Sequence, residues 1–264
     1  MLEYLFWGAL FLIVYTYVGY PILLFCLTKI KLRFAPSKEQ TNKELPTLAL
    51  IIPAYNERKY LDEKIENCFN LIYPKHLLEI IFVTDGSDDG SDLYLKQNDQ
   101  ITTYHLDERG GKIAAMNRVV PQVKADILVF SDANAILNEE ALMVIANCFN
   151  DPKVGCVAGE KRIKIGDKSK AATAGEGFYW KYESALKNWS SQFNSAIGAA
   201  GELFAIRSAL FEAPTRDTIL DDFLISLISS LDAFLSLFIF QFPATILLLI
   251  FFIIKCILVV LFEI

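Results

Sequence analysis

The sequence predicts an α/β domain with a mainly parallel sheet, set between two apolar ends, and three observations predict it. Between residues 45 and 230, short apolar, β-branched runs alternate with stretches of helical spacing, the pattern of a sheet built from strand–helix–strand units. Clusters rich in Asp, Asn and Gly follow the strands, where such sheets gather their ligands. Both ends of the 264-residue chain are apolar, which accounts for a hydrophobic fraction of 53% and a mean hydropathy of +0.35 in a chain with 21% charged residues.

Taken in order, the run from Tyr4 to Thr28 carries no charge and exceeds the ~20 residues needed to cross a hydrocarbon core. It predicts a transmembrane helix over 1–28. A secretory signal has an apolar core of only ~7–15 residues behind a basic start, whereas this run opens with Glu3. Lys29, Lys31, Arg33 and Lys38 follow in a basic linker, 29–44. That asymmetry places the next domain in the cytoplasm, with the chain in the cell (inner) membrane.

"TLALII" (47–52) then reads as a strand, and "ERKYLDEKIENCFNLI" (57–72) as a helix with Leu61, Ile65, Cys68 and Phe69 on one face. Further strands are expected at 79–84, 101–106, 126–130 and 154–159, with helices near 91–97, 111–122 and 138–150. The stretch 176–189 predicts an amphipathic helix over the sheet. Residues 231–264 hold a second apolar run, Ala233 to Phe262, interrupted by Gln241, Pro243 and the single charge Lys255, and predict a C-terminal transmembrane segment.

Five cysteines, Cys26, Cys68, Cys148, Cys156 and Cys256, are scattered without close spacing. They indicate neither a zinc site nor a disulfide framework. A net charge of −6 argues against a nucleic-acid partner, which rewards a basic surface.

The chemistry sits after the strands. Pro53-Ala54-Tyr55-Asn56-Glu57 follows the first, Asp85-Gly-Ser-Asp-Asp-Gly90 the second, and Ser131-Asp132-Ala133-Asn134 the fourth. Singly, each has a plain turn or capping explanation; together they should meet at one sheet edge. Glu108-Arg109-Gly110-Gly111-Lys112 follows the third strand and opens a helix. Glycines there permit close backbone approach, and two cations beside a helix N-terminus favour an anion. A diphosphate would use every part, and a Mg²⁺-type ion held by Asp132 and Asn134 would complement it.

The motifs "LALIIPAYNE", "VTDGSDDGS", "RGGKIAAMN", "FSDANA", "GAAGELFAIR" and "ILDDFLISL" resemble, in order and rough spacing, those of the membrane-associated family 2 glycosyltransferases, inverting enzymes with the Rossmann-like GT-A fold. The resemblance implies a nucleotide-sugar donor, often UDP-linked, and a glycan or lipid acceptor. It implies a divalent metal, Mg²⁺ or Mn²⁺, bridging the diphosphate to Asp132 and Asn134 in place of an Asp-x-Asp pair. Pro53, Ala54, Tyr55 and Glu57 match the first nucleotide-binding loop, Asp85 the carboxylate that recognises the base, and Arg109 and Lys112 the Gly-Lys loop. Asp221-Asp222 matches the usual Glu-Asp of the catalytic base; by position Asp222 is the base and Asp221 its support. Gly198, Gly201 and Arg207 fall in an acceptor-side segment.

The chain departs from the family pattern in two places. Asn134 offers an oxygen without a charge. The Gln-x-x-Arg-Trp segment of processive relatives has no counterpart after Asp222, since Trp180 and Trp189 both precede it. Two interpretations follow: a short, non-processive transferase, or a truncated, catalytically silent binder of nucleotide sugars. A nucleotidyltransferase on the same α/β plan is a third reading, and it leaves Asp221-Asp222 beside a membrane unexplained.

Overall fold

The computed structural model describes residues 2–34, 44–160, 172–193 and 201–215. Asp221, Asp222 and the apolar run Ala233–Phe262 lie outside the described residues.

The chain opens with two helices, α1 (Leu2–Val14) and α2 (Tyr20–Phe34), joined by the π-helical turn Tyr15–Gly19. Together they contain one span, Phe6–Phe34, long and apolar enough to cross a membrane, with mean hydropathy 2.1 and only 11% of its window buried. The helix continues past residue 28, so Lys29, Lys31 and Arg33 occupy its last turns. The π turn falls just ahead of Pro21, which has no N–H to return to the Tyr17 carbonyl. That carbonyl accepts the Tyr182 hydroxyl at 2.8 Å.

The sheet is made of β1 (Leu48–Ala54), β2 (Leu78–Asp85), β3 (Thr102–Leu106), β4 (Ile127–Ser131), β5 (Cys156–Ala158) and β6 (Leu203–Arg207). Its order is β3-β2-β1-β4-β6-β5. The first four strands run parallel, as expected, with Leu48 opposite Leu78 and Ile127. Strand β6, which the sequence presents only as part of the glycine-containing motif "GAAGELFAIR", returns antiparallel between β4 and β5.

Period-2 alternation divides each buried strand between two cores. Leu48, Leu50, Ile52, Phe82, Ile127 and Val129 face one side, where α3 (Arg58–Phe69) contributes Leu61, Ile65 and Cys68. Helix α4 (Ser91–Leu95) adds Leu95 to the same core, and α6 (Ala141–Cys148) adds Leu142 and Ile145. Ala49, Ile51, Val83, Leu128, Phe130 and Phe204 face the other side, against Ala115, Met116 and Val119 of α5 (Lys112–Val119). Phe130 stacks on Phe204 with ring centroids 4.8 Å apart. The parallel strands are buried on both faces, which is why they read as continuous apolar runs.

Helix α7 (Ala172–Phe193) packs along α2. The expectation that it covers the sheet is corrected: α3 and α6 cover one face and α5 the other. The hydroxyl of Thr28 donates to the Trp189 carbonyl at 3.2 Å, the Lys31 ammonium to the Phe193 carbonyl, and Phe25 meets Trp189 edge-on at 5.2 Å. Tyr182 and Trp189, among the described aromatics of α7, therefore serve the N-terminal helices.

Candidate active site

Parallel strands end together, so the loops leaving β1, β2, β3 and β4 emerge on one edge. Strand order reverses between β1 and β4, and a crevice opens at such a switch point. The cleft there has a volume of about 370 Å³. Pro53, Ala54, Tyr55, Glu57, Asp85, Arg109, Lys112, Asp132 and Asn134 all line it. The structure thus brings together every described residue that the sequence singled out as a candidate for the site, while Asp221 and Asp222 lie outside the described residues.

The loops after β1 and β2 are laced to each other. Asn56, at φ 54°, is the one described non-glycine residue with positive φ, a conformation Asn tolerates better than most. Its Nδ2 donates to Asp88 Oδ1 at 2.7 Å, and its Oδ1 accepts the Asp88 N–H at 3.0 Å. Asp89 binds both helix starts, accepting from the Arg58 N–H at 2.9 Å and from the Ser91 N–H at 3.0 Å and hydroxyl at 2.6 Å. Slight burial pushes the Asp89 carboxyl up, but the hydrogen bonds from Ser91 and Arg58 outweigh it and hold the group below the usual carboxylate range.

Asp85 is 4% exposed and anchors the next loop. Its Oδ2 accepts the Gly110 and Gly111 N–H groups, each at 2.7 Å, and its Oδ1 meets Arg118 Nη1 at 3.2 Å. This revises the expectation that these glycines offer their backbone to a ligand, because their N–H groups point at Asp85. Gly86, at φ +68°, lets the chain pass Arg109 so closely that a Cβ would lie 2.7 Å from the Arg109 Cβ. With the loop held, Arg109 and Lys112 carry the positive charge into the cleft. The Arg109 guanidinium lies 3.9 Å from the centroid of the Tyr55 ring.

The Lys112 ammonium reaches Asp132 Oδ1 at 2.8 Å, with the two side chains about one third exposed, 34% and 33%. Asp132 begins a tight turn, the Ala135 N–H returning to its carbonyl at 3.2 Å, while its own N–H meets the Glu202 carbonyl at 3.3 Å. Ala133 is buried and Asn134 is exposed. Among the described residues no group of three or more His, Cys, Asp or Glu side chains could hold a metal by itself. The donor set nevertheless suits a hard divalent ion that takes one or two protein oxygens and completes its shell with phosphates and water. Asp132 would supply the charged oxygen and Asn134 the neutral one.

Three features escaped the sequence reading. Arg118, inside "RGGKIAAMNRVV", braces Asp85. Lys64 and Asn67, on α3, bind the turn that carries Asp132. The signal for Lys64 was available, since a lysine three residues after Leu61 shares the apolar face of Leu61, Ile65 and Cys68. Arg207, by contrast, was placed by the motif resemblance in an acceptor-side segment, and this is corrected: it lies at the opposite end of β6 from the cleft, opposite Ile127, and donates to the carbonyls of Val154, Phe149 and Asp151.

This arrangement defines an α/β domain whose ligand cleft lies at the topological switch point and carries groups suited to an anion. The chain belongs to glycosyl transferase family 2, whose profile matches residues 49–213. It is 28% identical over 232 residues to a beta-monoglucosyldiacylglycerol synthase of Trichormus variabilis, covering 82% of this chain and 47% of that protein. It is 29% identical over 166 residues to a poly-beta-1,6-N-acetyl-D-glucosamine synthase of Staphylococcus aureus, covering 61% and 40%. The chain spans less than half the length of these curated relatives. The fold matches the mannosyltransferase PcManGT of Pyrobaculum calidifontis, solved with GDP-Man and Mn²⁺, with a TM-score of 0.66 at 22% identity over 83% of this chain and 62% of that one. The GT-A-like architecture expected from the motifs is therefore the one observed.

Proposed function

We propose that the chain is a membrane-anchored glycosyltransferase that moves a sugar from a UDP-linked donor to a glycan or lipid acceptor with inversion, in envelope polysaccharide or glycolipid synthesis. The observation that carries this reading is the convergence of Asp132, Asn134, Arg109 and Lys112 on one switch-point cleft. The relatives named above act in glycolipid and polysaccharide synthesis, which supports the acceptor class. The span Phe6–Phe34 would anchor the chain in the cell membrane, and the basic residues at its end would keep the domain cytoplasmic.

The diphosphate would lie between the two cations and the metal pair. Arg109 and Lys112 would bind its oxygens, while Tyr55 would give the base a ring face and Glu57 would accept from base or ribose. Asp85 would act on the nucleotide through the loop it anchors. Asp132 and Asn134 would hold the divalent ion, which supplies Lewis-acid neutralisation of the departing diphosphate.

In the transfer step the acceptor hydroxyl oxygen forms a bond to the sugar's anomeric carbon as the bond from that carbon to the diphosphate oxygen breaks. The hydroxyl proton passes to Asp222, with Asp221 supporting it. Attack opposite the leaving group inverts the anomeric centre.

The test is to incubate the purified full chain in detergent with Mn²⁺, a panel of UDP- and GDP-sugars and membrane lipid extract, and to follow released nucleoside diphosphate and labelled product. Acceptor-dependent turnover with one UDP-sugar is the expected result. UDP binding without turnover of any donor would replace this reading with that of a silent nucleotide-sugar binder.

A further inference from the structure

Lys64 is one of the largest fully buried side chains among the described residues, with 0% exposure. Lysine is almost never fully buried unless it is paired, because stripping water from an ammonium is costly. On α3 it shares the face that packs Leu61, Ile65 and Cys68 into the sheet, so the helix delivers the amine to a fixed place beneath the cleft. It does not line the cleft. The amine donates to Ser131 Oγ at 2.8 Å and to the Ala135 carbonyl at 2.5 Å. These acceptors bracket Asp132-Ala133-Asn134.

The same helix grips the exit of that turn. Asn67 Nδ2 donates to the Leu137 carbonyl at 2.7 Å, and its Oδ1 accepts the Leu137 N–H at 2.9 Å. Burial pushes the Lys64 ammonium down to about 8, with Cys68 and Asp132 pulling weakly the other way. Charged or neutral, an amine keeps at least two N–H groups for its two acceptors.

We propose that Lys64 is a positioning residue for the donor site, holding the turn that presents Asp132 and Asn134 so that both oxygens face one divalent ion, with Asn67 fixing the turn's exit. The proposal rests on the reading of Asp132 and Asn134 as donor-site ligands. A purely structural lysine in this place would be dispensable, since replacing a buried charge by an apolar side chain of similar volume is often neutral or stabilising. Groups that orient a metal ligand without touching the metal typically change metal affinity by 10–100-fold when removed.

The experiment uses the full chain in detergent, with UDP and Mn²⁺ as probes. Free Mn²⁺ is followed by electron paramagnetic resonance as UDP is added, and UDP affinity is measured separately in EDTA. In Lys64→Met the Mn²⁺–UDP affinity falls at least tenfold, the metal-free UDP affinity changes less than twofold, and the melting temperature does not fall. Ser131→Ala, which removes one of the two acceptors, gives an intermediate loss of Mn²⁺–UDP affinity, and it decides the question if Lys64→Met does not fold. Unchanged Mn²⁺–UDP affinity in the folded variants, with wild type binding and Asp132→Ala abolishing that binding, overturns the positioning role alone. Wild-type protein that binds UDP identically with Mn²⁺ and with EDTA overturns the donor-site reading and this proposal together.

Discussion

Lys112 and Asp132 hold each other across the mouth of the cleft, the ammonium 2.8 Å from one carboxylate oxygen. They come from the loops after different strands, Lys112 opening α5 and Asp132 following β4, so the sheet brings them together and no local sequence pattern does. In the proposed donor complex each takes a new partner, Lys112 a phosphate and Asp132 the divalent ion. Asp132→Ala should therefore abolish the Mn²⁺ dependence of UDP binding. Lys112→Met should weaken UDP binding with Mn²⁺ present by about tenfold or more, the ~1.5–3 kcal/mol typical of a hydrogen bond to a charged group. Isothermal titration of both variants with UDP, with and without Mn²⁺, checks the pair; a Lys112→Met protein of wild-type affinity would remove the lysine from the phosphate site.

Arg109 lies over the Tyr55 ring at 3.9 Å, and Tyr55 is 42% exposed. A cation over an exposed ring contributes ~0.5–1 kcal/mol, enough to pre-set the arginine without locking it. Tyr55→Phe should leave UDP affinity within twofold, since the ring face remains. Tyr55→Ala should weaken it by several-fold through lost stacking and a less ordered Arg109. Equal losses in the two variants would show that the hydroxyl, not the ring, is what the nucleotide meets.

Asp89 joins the starts of α3 and α4 by accepting from Arg58 and Ser91. Its pKa is held below the usual carboxylate value, about 3.9 in an unfolded chain. The folded state thus favours the ionised form. The stabilisation is complete above the unfolded pKa and is lost as pH falls through the lower folded pKa. Asp89→Ala should cost about 1 kcal/mol at pH 7, the size of a lost helix cap. Because the residue is exposed, solvent screening keeps the electrostatic part small. The gap between urea melts of wild type and variant should begin to shrink as the pH falls below the unfolded pKa and close below the lower folded one; a gap that does not change with pH across the acid range would mean that the ionised carboxylate is not what joins the loops.

The parallel half of this domain was legible because its strands are buried on both faces and its loops carry Asp, Asn or Gly at every strand end. Strand β6 was not, since "LFAIR" also fits a motif after a glycine turn, and only pairing with β4 and β5 makes it an antiparallel strand. The cleft residues were legible by type, yet the function of each carboxylate was not. Asp85 and Asp132 both line the cleft at strand ends, but Asp85 is 4% exposed with one oxygen taken up by Gly110 and Gly111, while the Asp132 side chain is one third exposed. That difference comes from how far each loop folds back over the sheet, a tertiary property with no local signature. Helix α7 shows the same limit: its amphipathic pattern announced a buried face, and the partner is α2 instead of the sheet.

The proposed base can be tested without knowing the acceptor's structure. Asp221 and Asp222 are adjacent, and the acceptor hydroxyl gives its single proton to one base. General-base removal typically costs ~10²–10⁴ in rate, and it should spare donor binding because the donor cleft is built from β1, β2, β3 and β4. Asp222→Asn should therefore lose about that factor in transfer while keeping UDP affinity within twofold, and Asp221→Asn should lose much less. Single-turnover transfer and UDP titration on the same preparations provide the comparison. The reverse ranking would exchange the roles of the two aspartates, and intact transfer in both variants would require a base from elsewhere in the chain.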